Sequence, residues 1–123
     1  MLTPIAYGLA IVLVVLITFI GLRFLMVPRA AAAGYGVPAK EDGDPAYLTI
    51  KGLRDFTWGV VGAALLAFAS AHAVGWYMLV VAIIPLGDTL IVLRHGGTKA
   101  VAFGIHFATA VVVLISAALL FAV

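Results

Sequence analysis

Four long apolar stretches, separated by short polar breaks, constrain this chain more than anything else in it. They run Pro4–Val27, Leu53–Ala71, Val74–Leu93 and Ala100–Val123. A helix needs about 20 residues to cross the hydrocarbon layer of a bilayer, so each stretch is long enough. Hydrophobic residues make up 66% of the chain and charged ones 10%, whereas soluble domains carry about 25% charged residues. The expected fold is all-α: one transmembrane bundle of four helices over about 4–27, 49–71, 74–93 and 99–122, with a long first connection over 28–48. Four helices of this length make one domain, 1–123, not two.

All seven basic residues fall on one side of that arrangement. Arg23, Arg29, Lys40, Lys51, Arg54, Arg94 and Lys99 sit in, or within a turn or two of, the first and third connections. The chain ends and the middle connection carry none. Loops rich in Lys and Arg stay on the cytoplasmic side. Connections 28–48 and 94–99 are therefore expected in the cytoplasm, with both termini outside it, in a multi-pass protein of the cell (inner) membrane. The net charge of +2 does not point to nucleic acid, because basic residues placed at helix ends form no binding surface. The first stretch does not read as a signal peptide: no basic residue precedes it, and its apolar run exceeds a typical h-region. With no cysteine, disulfide and thiolate chemistry are out of reach.

The first connection is the one segment with room to cover a site. Pro28 ends the first helix, because proline lacks the N–H a continuing helix needs. Pro28 and Arg29 with the alanines at 30–33 read as a short helix that stops at Gly34. Tyr35-Gly36-Val37-Pro38 reads as a turn, and Glu41-Asp42-Gly43-Asp44-Pro45 as solvated loop. Thr49 is the expected cap of the second long helix. The breaks around His72–Gly75 and His95–Thr98 are short, so the helices they join are expected to pair antiparallel.

Ionisable groups inside a membrane cost about 2.5–3.5 kcal/mol at mid-helix, and those that remain usually face the bundle interior. Counting residues from the last turn at 1.5 Å rise each puts Asp88 and His106 at nearly equal depth, about 13–14 Å from it, able to face each other. The same count from the middle turn brings Asp55, with Arg54 beside it, within a turn of that level. Arg23 and His95 lie nearer the interface. Pro85 and Gly87 precede Asp88, and a helix break beside an intramembrane acid points to a polar cavity. Asp55, Trp58, Gly59 and Gly62 share one helix face. The expected site has Asp88, His106 and Asp55 for acid–base chemistry, with Arg54, Trp58, Gly59, His95 and Arg23 holding a ligand. Asp55, Asp88, His95 and His106 show no metal-ligand spacing, so neither a metal nor a cofactor is expected.

Each feature has a plainer reading. Asp88 with His106 suits an interhelical hydrogen bond, worth roughly 0.6 kcal/mol in membrane bundles. Lys51 and Asp55 suit a helix-end ion pair. Arg54 can snorkel to the interface. Gly59-x-x-Gly62 and Gly104-x-x-x-Ala108 suit helix packing, and His72 with Trp76 an interfacial anchor.

The stretch Ala46-Tyr47-Leu48-Thr49-Ile50-Lys51-Gly52-Leu53-Arg54-Asp55 with Gly59 resembles the characteristic segment of a bacterial and fungal membrane family, domain of unknown function 4267. So do Ile84-Pro85-Leu86-Gly87-Asp88 with Gly96-Gly97, and Ala102-Phe103-Gly104-Ile105-His106. The resemblance covers nearly the whole chain. It implies a four-helix membrane protein whose polar signature falls on Arg54, Asp55, Asp88 and His106, and it carries no established activity. The reading preferred here is a one-sided intramembrane pocket for a small lipophilic molecule, with Asp/His acid–base chemistry. A small proton-coupled transporter is one alternative, although the outer half offers a substrate little polar path. A non-catalytic partner or assembly subunit of a membrane complex is the other. The lipid bilayer and further copies of the chain are the expected partners, since several small-residue faces suit self-association.

Overall fold

The computed structural model describes all residues, Met1–Val123, and is entirely helical between its connections. In chain order the elements are α1 (Leu2–Met26), α2 (Pro28–Tyr35), α3 (Ala46–Phe68), α4 (Ala71–Val81), α5 (Ile83–Arg94), α6 (Lys99–Val101), a π-helical turn (Ala102–Phe107) and α7 (Ala108–Phe121). Three rods are long and apolar enough to cross a membrane: Leu2–Met26, Ala71–Arg94 and Lys99–Phe121. The fourth, α3, is long enough but carries Lys51, Arg54 and Asp55 in its first half.

The helix expected over 74–93 is two pieces with a one-residue turn at Ala82. Pro85 is the reason: without an N–H it cannot bond the carbonyl one turn back, that of Val81. The last helix also has a defect. From Ala102 to Phe107 the backbone widens to π geometry, a form that occurs mostly as single turns and often at functional positions. His106 sits on it.

The ends of these elements correct several expectations. Gly34 does not stop α2; the helix continues through Tyr35 and ends at Gly36, whose φ of 106° is left-handed. That conformation suits glycine because a Cβ would crowd the backbone. Thr49 does not cap α3; it lies a turn inside, and its hydroxyl donates to the Ala46 carbonyl at 2.8 Å. The carboxylate of Asp44 accepts from Ala46 N–H at 2.9 Å. Ser70 caps α4 by accepting from Ala73 N–H.

The helices joined by the short middle break, α3 and α4, do contact each other, but the more extensive packing is of α3, antiparallel along α1, and of α4 on α7. Glycines explain the first pairing: Gly52, Gly59 and Gly62 are buried on one face of α3 together with Asp55. Without side chains there, α1 approaches closely, Gly21 against Gly52 and Phe56, and Thr18 against Gly59. Close approach of this kind holds membrane helices together where lipid is as apolar as the side chains. Toward the end that holds the chain termini, the interior is an apolar core including Ala6, Ala10, Val74, Met78, Ala117 and Leu120. His72, Trp76 and Phe121 form an aromatic cluster at that end, with His72 and Phe121 ring centroids 4.9 Å apart.

At the opposite end the first connection folds back onto the bundle. Ala31 and Ala32 pack on Phe24. Gly36 lies against Val92 and Val101. Arg29 ties the remaining loop down by donating to the carbonyls of Lys40 and Gly43.

Candidate functional site

The polar groups meet at this second end, and Tyr35 is where they meet. Because α2 ends at Tyr35, the carbonyl of that residue is among the helix-terminal acceptors that the helix itself cannot satisfy. His106 Nε2, brought over by the π turn, bonds it at 2.6 Å. A carbonyl only accepts, so Nε2 carries the proton, and in the neutral ring Nδ1 is left as an acceptor. The Tyr35 side chain points the other way and donates its O–H to Asp88 Oδ2 on α5. Its ring lies against the His106 imidazole, with centroids 4.3 Å apart. Phe24 meets it edge-on at 5.5 Å.

A second pair adjoins this group. Lys51 Nζ is 2.5 Å from Asp55 Oδ2. The same ammonium stands 4.2 Å from the centroid of the Tyr35 ring and 4.4 Å from that of Phe24. Five polar side chains from four segments therefore touch or lie one neighbour apart: Tyr35, Lys51, Asp55, Asp88 and His106.

Beside them opens a cavity of about 270 Å³, whose wall includes Arg23, Phe24, Tyr35, Asp88, His106 and Thr109. Its size is near the lower bound of about 300 Å³ for small-molecule pockets. A smaller apolar chamber of about 80 Å³ adjoins it, sharing part of its wall and bordered also by Trp58, Tyr77 and Met78.

A family model described as Domain of unknown function (DUF4267) matches residues 5–120. The chain belongs to that family. No curated protein matches it, and no solved structure does. Of the polar signature expected at Arg54, Asp55, Asp88 and His106, the last three belong to the linked polar group, joined through Lys51 and Tyr35, and Arg54 lies outside it.

Asp88 and His106 line the same cavity, but they are bridged by Tyr35 instead of bonding each other directly. Asp55 is buried, 5% exposed, and is engaged by Lys51. Arg54 points outward. His95 is exposed and bonds only the Ile91 carbonyl of its own helix, at 2.9 Å. Gly59 packs on Thr18. Trp58 borders the apolar chamber, and Tyr77 donates to its carbonyl at 2.6 Å. No group of three or more His, Cys, Asp or Glu side chains is placed to hold a metal.

Tyr35 is the member of this polar group that the sequence alone does not single out. Burial and then the neighbouring Asp88 carboxylate hold its phenol well above the ordinary tyrosine value, so it stays a donor throughout the neutral range. The consequence for stability has a definite sign. In the unfolded chain a tyrosine ionises near pH 10; in the fold this one remains neutral. Its contribution is complete below about pH 10 and is lost as pH rises further, by up to about 1.4 kcal/mol per pH unit. Tyr35→Phe is expected to remove that share of the alkaline loss. At neutral pH it should cost about 1.5–3 kcal/mol, the range for a hydrogen bond to a charged group. Unfolding of both proteins in detergent between pH 8 and 11, followed by circular dichroism, checks this; parallel alkaline losses would reject it.

Proposed function

We propose that the chain is a multi-pass membrane protein that binds a small lipophilic molecule in the cavity beside Tyr35, Asp88 and His106. In this reading α3 joins the three more apolar rods in crossing the bilayer, giving a four-helix transmembrane bundle. The end rich in Lys and Arg faces the cytoplasm and both termini lie outside it. The bilayer and further copies of the chain cover the apolar outer faces.

One observation carries the proposal. Three polar side chains from separate segments, α2, α5 and the π turn, converge on one cavity at the basic end. Each reaches it through a local departure from regular helix: the left-handed stop at Gly36, the break at Ala82 and the π turn. Regular, fully apolar helices would pack without these defects, and intramembrane polar residues are costly enough to mark function by default.

The chemistry suited to the arrangement is proton transfer, as in an isomerisation or cyclisation. His106 Nδ1 is the base that accepts a proton from the bound molecule. Asp88, steadied by the Tyr35 hydroxyl, stabilises the imidazolium that results. The apolar core that closes the opposite end argues against a transport path through a single copy.

Asp88→Asn and His106→Gln test the reading. Both variants should keep the bundle, with unfolding changed by less than about 2 kcal/mol. Both should lose a compound that the unaltered protein retains from its host membrane at fixed stoichiometry, as detected by mass spectrometry of the purified protein. Unfolding of both variants, with no compound retained by the unaltered protein, would make the polar group structural.

A further inference from the structure

The polar atoms around the cavity select one kind of head group, and we infer that the occupant is a neutral lipophilic alcohol or phenol, with its hydroxyl between Arg23, Asp88 and His106 and a hydrocarbon tail in the apolar chamber. The inference rests on the pocket reading above and narrows it.

The cavity and the chamber adjoin and share six wall residues, Leu16, Ile17, Ile20, Ile84, Pro85 and Thr109. Three of these lie three residues from a polar group: Ile20 from Arg23, Pro85 from Asp88 and Thr109 from His106. Residues three apart are neighbours on one helix face, a turn apart in height. Arg23, Asp88 and His106 therefore stand about one turn above those shared residues on the wall of the cavity, Arg23 from an exposed position, and the chamber lies below them.

The hydrogen-bonding capacity of these three side chains and their neighbours can be counted. The Tyr35 proton is committed to Asp88 Oδ2, and His106 Nε2–H to the Tyr35 carbonyl. Thr109 donates to the Ile105 carbonyl at 2.6 Å. Asp88 Oδ1 and His106 Nδ1 remain, both acceptors, together with the Arg23 guanidinium, a donor. A hydroxyl donates one proton and offers two lone pairs, so it can give to Asp88 or His106 and accept from Arg23. A carboxylate would suit Arg23 but meet the Asp88 carboxylate and have no proton to donate. An ammonium would suit Asp88 but meet Arg23 and have nothing to accept with. Below that shared wall the chamber is lined by apolar side chains such as Val14, Met78, Val81 and Val113, which suits a hydrocarbon tail.

Trp58 borders the chamber, whereas the other tryptophan, Trp76, packs on His72 and Phe121 in the far aromatic cluster. In the Trp76→Phe protein, reconstituted in lipid nanodiscs, Trp58 becomes the only indole. Three probes with one brominated unbranched tail, ending in a hydroxyl, a carboxylate or an ammonium, would be titrated against its fluorescence. Saturable quenching is expected at lowest concentration for the alcohol, by about tenfold or more over the other two, equivalent to about 1.4 kcal/mol. Unbrominated alcohol should reverse the saturable part. Val81→Phe, which fills the chamber wall from a partly buried position, should abolish it and leave only the weak linear quenching due to lipid. Equal affinity for all three heads, or tighter binding of the acid or the amine, overturns the hydroxyl assignment and leaves the pocket standing. Absence of saturable quenching with every probe overturns the pocket reading with it.

Discussion

Gly21→Val is expected to separate α1 from α3 and to cost more than about 3 kcal/mol, beyond the usual 1–3 kcal/mol of an overpacked core. The reason is what surrounds the position. A Cβ on Gly21 would run into Phe56 N, and would lie 2.8 Å from both the Gly52 carbonyl oxygen and Phe56 Cα. These are backbone atoms and cannot rotate away as the tip of a side chain can. Gly52 faces the same crossing from α3; a Cβ there would stand 2.8 Å from Leu25 N and 2.9 Å from the Gly21 carbonyl oxygen. The two helices would have to move apart along their length, and with them Phe24, which abuts both Tyr35 and Lys51. Gly8, on the same helix, has nothing within 4 Å of its Cβ direction, so Gly8→Val should change stability by less than about 0.5 kcal/mol. Unfolding of the two variants in mixed micelles, followed by tryptophan fluorescence, makes the comparison. Equal stabilities would show that the α1–α3 crossing yields more readily than its backbone contacts imply.

These glycines also mark the boundary of what the residues alone disclose. The long apolar rods were legible because hydrocarbon demands length and apolarity, and both can be counted. The shared level of Asp88 and His106 was legible for a related reason: helical rise converts residue number into depth. The break near Pro85 followed from a missing N–H. Gly21 and Gly52 gave no such signal, since an isolated glycine in an apolar helix acquires meaning only from the backbone opposite. The same holds for the π turn, where no residue type from Ala102 to Phe107 calls for a wider helix. Tyr35 was hidden by one local misreading. With Gly34 taken as the end of α2, Tyr35 fell in a turn; with Gly36 as the true end, its carbonyl becomes a free acceptor and its ring a wall of the site. That α3 packs more extensively on α1 than on α4 has a common origin with the glycine result, because close backbone approach outweighs sequence adjacency.

Lys51→Met is expected to destabilise the protein by about 3 kcal/mol, the lower end of the 3–5 kcal/mol typical of a buried charge left without its partner. Asp55 is 5% exposed and meets the Lys51 ammonium at 2.5 Å. The lysine side chain is 30% exposed, and that access to water places the effect at the low end. The loss should be lopsided. Asp55→Asn leaves an ammonium that still reaches water and still faces the Phe24 and Tyr35 rings at 4.4 and 4.2 Å, contacts worth about 0.5–1 kcal/mol each at exposed sites. That variant should therefore lose less than Lys51→Met. Lys51→Met combined with Asp55→Leu removes both charges, and it should recover most of what Lys51→Met alone loses, since apolar replacement of a buried pair is often neutral. A surface ion pair one helical turn apart would behave otherwise, with each single change below about 1 kcal/mol and the two nearly additive. A double-mutant cycle in mixed micelles separates the cases. The coupling matters beyond stability, because Lys51 holds the face of Tyr35, and Tyr35 bridges Asp88 to His106. If the cycle shows coupling, the ligand retained by Lys51→Met should fall even though Lys51 does not line the cavity.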